Sequence, residues 1–156
     1  MTTDKRNDFI KKQAVWEGEI LGLRCFIVPA PMEDALNGYV EFPKRPVREQ
    51  GYEGLLTYVP VHGGITYANE DEDGMIYGFD TLHHDSSSKP RSNKEWIKKQ
   101  IEIMIKGILL AKKLEAKYLR CITNKGKAKY AQQIMNLQKE ESMNLGVNIN
   151  LICGKL

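Results

Sequence analysis

Residues 52–82 read "YEGLLTYVPVHGGITYANEDEDGMIYGFDTL". Two runs rich in aromatic and β-branched residues flank the acidic, Gly-ending stretch NEDEDG, the pattern of a β-hairpin with a polar turn. With a turn centred near Asp71, alternation along the two strands sets His62 opposite Asp80, Gly64 opposite Gly78 and Thr66 opposite Ile76. One face then carries His62, Gly64, Thr66, Gly78 and Asp80. The other carries Val61, Ile65, Tyr67, Tyr77 and Phe79, an apolar set suited to a core.

Upstream, residues 4–14 form a short helical arm, and EGEILGLRCFIVPAP supplies a strand pair or one bent strand. A further short strand spans Tyr39 to Phe42; Pro43 and Pro46 confine it to a sheet edge or mark its end. Downstream the period changes. SNKE at residues 92–95 is a capping box, with Ser92 as N-cap and Glu95 at N3, and Ile97, Ile101, Met104, Ile105, Ile108 and Leu109 then recur at helical spacing. A helix therefore runs from about residue 93 to about residue 116, with Gly107 marking a close contact with the sheet. KYLRCIT, a second helix through residues 124–144 and the alternating VNINLIC complete the chain.

The fold class is α+β: an antiparallel sheet in the N-terminal half, with its central hairpin at about 54–82, packed on one face against one long and one shorter C-terminal helix. The chain of 156 residues suits one domain over 1–156, with residues 1–15 as an N-terminal arm. No stretch is apolar for long enough to span a bilayer and the N-terminus lacks a signal-peptide core, so the expectation is a cytoplasmic protein. Cys25, Cys121 and Cys153 are far apart, odd in number and without a CxxC pair, which excludes a legible disulfide framework or zinc knuckle.

The net charge of +3 is unevenly spread. Most acids precede residue 86 and Lys recurs from 89 to 129, the distribution expected of a partner for anions, although interleaved Glu also fits plain solvated helix faces. Arg91, Lys94, Lys98 and Lys99 open the long helix, where its partial positive charge adds to theirs. Lys125, Lys127 and Lys129 form a second cluster.

All three histidines, His62, His83 and His84, fall in or just after the hairpin. Gly63, Gly64 and Gly78 remove side chains beside a histidine and a carboxylate, which either floors a pocket or admits an aromatic ring packed over the gap. In the catalytic reading His62, oriented by Asp80, and His83 act as base and acid, with Thr66 in support. In the structural reading these histidines bond backbone carbonyls. His62, Asp80, His83 and Asp85 also offer N and O donors to a divalent metal, but without the helical spacing of a zinc motif, so no cofactor is assigned. NEDEDG lacks the remaining positions of a calcium loop. P-loop, nucleophile-elbow and dinucleotide fingerprints are absent.

With HGGITYA followed by GFDTLH, the chain resembles a family of small proteins common in bacteriophage and prophage genomes, in which HGG-[LI]-T-[YF]-A precedes G-F-D-x-x-H. The resemblance covers residues 36–115 or so and matches His62, Gly63, Gly64, Thr66, Gly78, Phe79, Asp80 and His83; His83-His84-Asp85 departs from the H-x-G-D of that family. It implies a phage accessory protein in the bacterial cytoplasm, for which countering host defence is a common task. Three functions stay open. One is a hydrolase or phosphodiesterase acting on a small signalling nucleotide, metal-free or metal-dependent. The second is a binder that sequesters such a nucleotide with Gly63, Gly64, Tyr67, Tyr77, Gly78, Arg91, Lys94 and Lys98. The third is a protein-binding inhibitor of a host defence complex. Self-association as a homo-oligomer is compatible with each.

Overall fold

The computed structural model describes residues 5–31, 35–48, 56–57, 59–81 and 92–118. Its elements are α1 (Arg6–Gln13), β1 (Trp16–Ile20), β2 (Leu23–Pro29), β3 (Leu36–Phe42), β4 (Tyr67–Glu70), β5 (Met75–Phe79) and α2 (Lys94–Tyr118). All five strands join one antiparallel sheet in the order β1-β2-β3-β5-β4. This is the α+β class expected from the sequence, with the long helix in place. The second helix and the strands expected after residue 118 lie outside the described residues.

β3 is the centre of the sheet, not its edge. Pro43 follows the last strand residue, so the missing N–H falls outside the ladder and costs no pairing. The hairpin of β4 and β5 is present, but its first arm begins at Tyr67, and its register pairs Tyr67 with Gly78 and Glu70 with Met75. That differs by three residues from the expected alignment. Three is an odd number, so every β4 side chain changes face relative to β5.

The helices cover both faces rather than one. Leu23, Cys25, Ile27, Val40, Phe42, Met75, Tyr77 and Phe79 point to one side and meet Ile97, Ile101, Met104, Ile105, Ile108 and Ala111 of α2. Those positions recur every three or four residues, which is why the helix forms one apolar stripe. Burying each Ile or Met contributes about 1.5–3 kcal/mol. Val61 and Ile65 join this core, as the alternation predicts.

The opposite side is smaller and more polar. There Ile10 and Ala14, in and just after α1, pack with Phe26, Val28, Tyr39, Tyr67 and Ile76, so Tyr67 leaves the core face assigned to it from the sequence. An eight-residue helix is marginal alone, and tertiary anchors hold it. Buried Asn7 donates from Nδ2 to the Asn69 carbonyl at 3.1 Å and accepts at Oδ1 from Tyr67 Oη at 2.7 Å and from Asn69 Nδ2 at 3.2 Å. Lys11 pairs with Glu41 at 2.7 Å. Burial opposes the charge on Lys11, but the hydrogen bond and charge of Glu41 outweigh it and hold the ammonium above its ordinary range.

Two local expectations are corrected. The N-cap of α2 is Asn93, whose Oδ1 accepts from the N–H groups of Glu95 at 2.9 Å and Trp96 at 3.2 Å; Asn is as good a cap as Ser and lies one residue nearer the first turn. Gly107 does make room for a close approach, but to Val59 and Pro60 of the preceding loop rather than to a strand.

Candidate functional site

The segment from Val59 to Thr66 decides where His62 goes. Gly64 N–H donates to the Val61 carbonyl at 2.8 Å, closing a four-residue turn with His62 and Gly63 at its centre. Gly63 has φ +72° and Gly64 φ +79°, a conformation that favours glycine, so this turn by itself explains the Gly-Gly pair. His62 N–H donates to Gln100 Oε1 at 3.0 Å, and its ring meets Trp96 edge-on with centroids 5.3 Å apart. His62 is therefore attached to the α2 layer.

Asp80 belongs to the other side. It follows Phe79, whose ring faces α2, and its charge acts on the Tyr39 phenol of the α1 face. The expected pairing of His62 with Asp80 across a hairpin is thus replaced by a turn on one layer and a strand end on the other. Thr66 is exposed and donates its N–H to the Gly78 carbonyl at 2.9 Å, prolonging the ladder.

Gly78 is occupied space. Tyr39 lies opposite it on β3 and Tyr67 opposite it on β4, and a Cβ at Gly78 would fall within contact of Tyr39 Cδ1 and Cε1. The Tyr39 ring packs over the glycine and meets Tyr67 edge-on at 5.6 Å. Of the two sequence readings of this glycine, the aromatic over the gap is the observed one. Burial pushes the Tyr39 phenol above its usual range, a hydrogen bond from Asn37 draws it back, and the charge of Asp80 raises it further.

The basic residues also divide. Lys98 sits 4.7 Å over the Trp16 ring and 3.1 Å from Glu95, which ties it to β1. Lys94 is exposed in the first turn of α2. Arg91, His83, His84, Asp85 and the cluster Lys125, Lys127 and Lys129 lie outside the described residues.

The sequence reading missed the cations of α1. Exposed Arg6 donates from Nη2 to Asn69 Oδ1 at 2.7 Å, while Lys5 opens the helix with no side chain capping it there. Because Asn7 fastens this end to Tyr67 and Asn69, a positively charged helix start lies beside the Tyr39–Tyr67 pair. The sequence signal was the Lys5-Arg6 pair at the start of the helical arm.

Half of the metal set suggested by the sequence, His83 and Asp85, is outside the described residues. Among the described residues, Asp8, Asp71 and Asp73 bring carboxylate oxygens within 4.8 Å of one another. Asp71 Oδ1 accepts the N–H groups of Asp73 and Gly74 within its own turn, and Asp73 lies 3.7 Å from Lys11. The group reads as the solvated turn expected of NEDEDG. Among the described residues, no helix is long and apolar enough to cross a membrane.

Comparison of the chain with protein-family models, with curated proteins and with solved structures finds no match.

Proposed function

We propose that the protein captures a small nucleotide on the α1 face of the sheet and holds it intact, the sequestering form of the anti-defence task that its likeness to phage accessory proteins implies. The observation that carries this reading is the Tyr39–Tyr67 pair, set between the basic start of α1 and the Asp80 carboxylate. Each part matches one part of a nucleotide. The helix start with Lys5 and Arg6 suits a phosphate, since helix charge and cations act together there. The half-buried tyrosine rings offer apolar surface to a base. Asp80 accepts hydrogen bonds from base or sugar donors. From Asn69, beside Arg6, the register leads to Ile76 and then four residues along β5 to Asp80, about 13 Å at strand rise. A nucleotide spans a similar length from base edge to phosphate.

Capture without cleavage is favoured because His62 is held by Gln100 and Trp96 on the other layer. A general base must come within hydrogen-bond reach of the proton that it removes.

The test is to incubate the protein with a panel of linear and cyclic nucleotides and to run ion-exchange chromatography before and after denaturing it. A peak that falls on incubation and returns unchanged on denaturation is expected. His62→Ala keeps the capture, and Arg6→Glu weakens it at least about tenfold, as loss of a charged contact to phosphate should. New product peaks that vanish in His62→Ala would overturn sequestration in favour of a phosphodiesterase. An unchanged panel would overturn the nucleotide reading and leave a host protein as the partner.

A further inference from the structure

β1 and β4 are the two edges of the sheet, and among the described residues no strand pairs with the outer side of β1. Leu21 and Gly22, both at positive φ, make a two-residue turn that Ile20 and Leu23 close as a bonded pair. Alternation then turns the N–H and C=O groups of Glu17 and Glu19 outward, away from β2. Trp16 and Ile20 pack toward α2, so the side chains of Glu17 and Glu19 lie on the other face, where both are exposed. Glu17 accepts a bond from Arg24 Nε, whereas Glu19 makes no ion pair among the described residues. Two exposed apolar side chains, Val15 at 48% and Leu21 at 53%, flank these acids in sequence. Leu21 has φ 53°, a conformation disfavoured for leucine. Asn or Gly would hold this turn without strain and without showing an apolar side chain to water, so the hairpin itself gives no reason for the leucine.

We propose that the outer edge of β1 binds an extended protein segment as a further antiparallel strand, one with basic residues opposite Glu17 and Glu19 and an apolar residue against Leu21. The outward N–H and C=O groups supply ladder bonds that any strand could make, and the side chains supply the selection. Charge decides between occupants. A second copy paired antiparallel about Gly18 would set Glu17 of one copy opposite Glu19 of the other, twice over, and like charges directly opposite are destabilising. A basic segment makes both contacts favourable. On the α2 side Lys98 lies 4.7 Å over the Trp16 ring, so the intervening residues of the segment, which face that side, are uncharged. The partner strand is thus basic and apolar on one face and neutral on the other. This edge is separate from the tyrosine pair on β3 and β4 and does not depend on nucleotide capture.

The experiment is a fluorescence-anisotropy titration of the labelled peptide Leu-Thr-Lys-Thr-Lys-Thr-Leu, and of its counterpart with Glu for both lysines, with the protein. The lysine peptide is expected to saturate and to bind at least about fourfold tighter than the glutamate peptide, the effect of two cross-strand pairs changing from attraction to repulsion. N-methylation of the two lysine amides, whose N–H groups face β1 in an antiparallel pair, abolishes binding. Leu21→Asn raises the unfolding midpoint, because asparagine tolerates the left-handed turn, and yet weakens the lysine peptide. Equal affinity for the two peptides, or binding that survives methylation of the lysine amides, would overturn strand addition at an acidic edge. So would a dimer of the protein that Leu21→Asn dissolves, since the edge would then belong to a second copy. Binding of neither peptide would overturn the inference and leave nucleotide capture standing. Should Leu21→Asn fail to fold, the peptides on the unmodified protein decide the matter.

Discussion

Two tyrosines near the hairpin make a paired test of the packing. Tyr77 is fully buried on the α2 face, in edge contact with Phe42 at 5.8 Å, and its hydroxyl has no hydrogen-bond partner. Tyr67, on the other face, donates to Asn7 Oδ1 at 2.7 Å. Replacing each by Phe removes one oxygen and leaves the ring. At Tyr77 the change relieves a stranded hydroxyl, worth about 1–3 kcal/mol, and forfeits a few dispersion contacts of about 0.1–0.2 kcal/mol each. Tyr77→Phe should thus be neutral or stabilise by up to about 2 kcal/mol. At Tyr67 the change deletes a net contribution of about 0.5–1.5 kcal/mol; Asn7 Oδ1 keeps its 3.2 Å bond from Asn69, so no further orphan arises. The variants should move in opposite directions. Urea unfolding reads this as opposite shifts of the midpoint at constant m, and about 1 kcal/mol corresponds to roughly 2–4 °C in Tm for a chain of this size. Destabilisation of Tyr77→Phe by more than about 1 kcal/mol would refute the unpaired hydroxyl, and an unchanged midpoint for Tyr67→Phe would refute the latch on α1.

The remaining expectations concern the glycine, the cap and alkaline pH. Gly78→Ala should cost about 1–3 kcal/mol by driving a methyl into the Tyr39 ring, and Tyr39→Ala combined with it should cost less than the sum, which a double-mutant cycle measures. Asn93→Ala should lower stability by about 1 kcal/mol in urea unfolding, and an unchanged midpoint would refute the cap. Burial pushes the Cys25 thiol up to about 12, against a slight lowering from the Ile20 backbone, and it also pushes the Tyr77 phenol well above its usual range, with Arg45 partly offsetting this. Both groups stay protonated in the folded chain after the unfolded chain has begun to lose protons. Stability should therefore be constant through these groups below pH 9 and fall as pH rises from 9 towards 12, by at most about 1.4 kcal/mol per pH unit per group. Unfolding midpoints across this range check it, and in Tyr77→Phe the fall should be shallower above pH 10.

The helix and the strands were legible where one period governs a long enough run. The Ile and Met positions of α2 repeat without interruption from residue 97 to 108, so face and length followed directly. The hairpin was recognisable by composition, and Val61, Ile65, Tyr77 and Phe79 are core residues as alternation requires. Its register was not legible, because the sequence does not say where a strand begins. HGGIT alternates well enough to read as strand, yet its two glycines serve a turn, and the true arm starts only at Tyr67. The three-residue offset then carried Tyr67 to the α1 face.

The candidate site was less legible than the fold for a related reason. Sequence reasoning grouped His62 with Asp80 because they sit in one hairpin, whereas the structure groups residues by sheet face, which joins Asn7, Asn37, Tyr39, Tyr67, Asn69 and Asp80 from α1 and three strands. Nothing in the 52–82 stretch points to Asn7 or Asn37; their meaning depends on a helix crossing the sheet and on a register set by β3. What the stretch did contain was Gly78, and its reading had two branches, a pocket floor or a ring packed over the gap. The ring of Tyr39 fills that space, so this face presents an aromatic ring where the sequence alone left room for a pocket floor. The glycine is required by the aromatic pair, and the aromatic pair is the surface on which the proposed nucleotide reading rests.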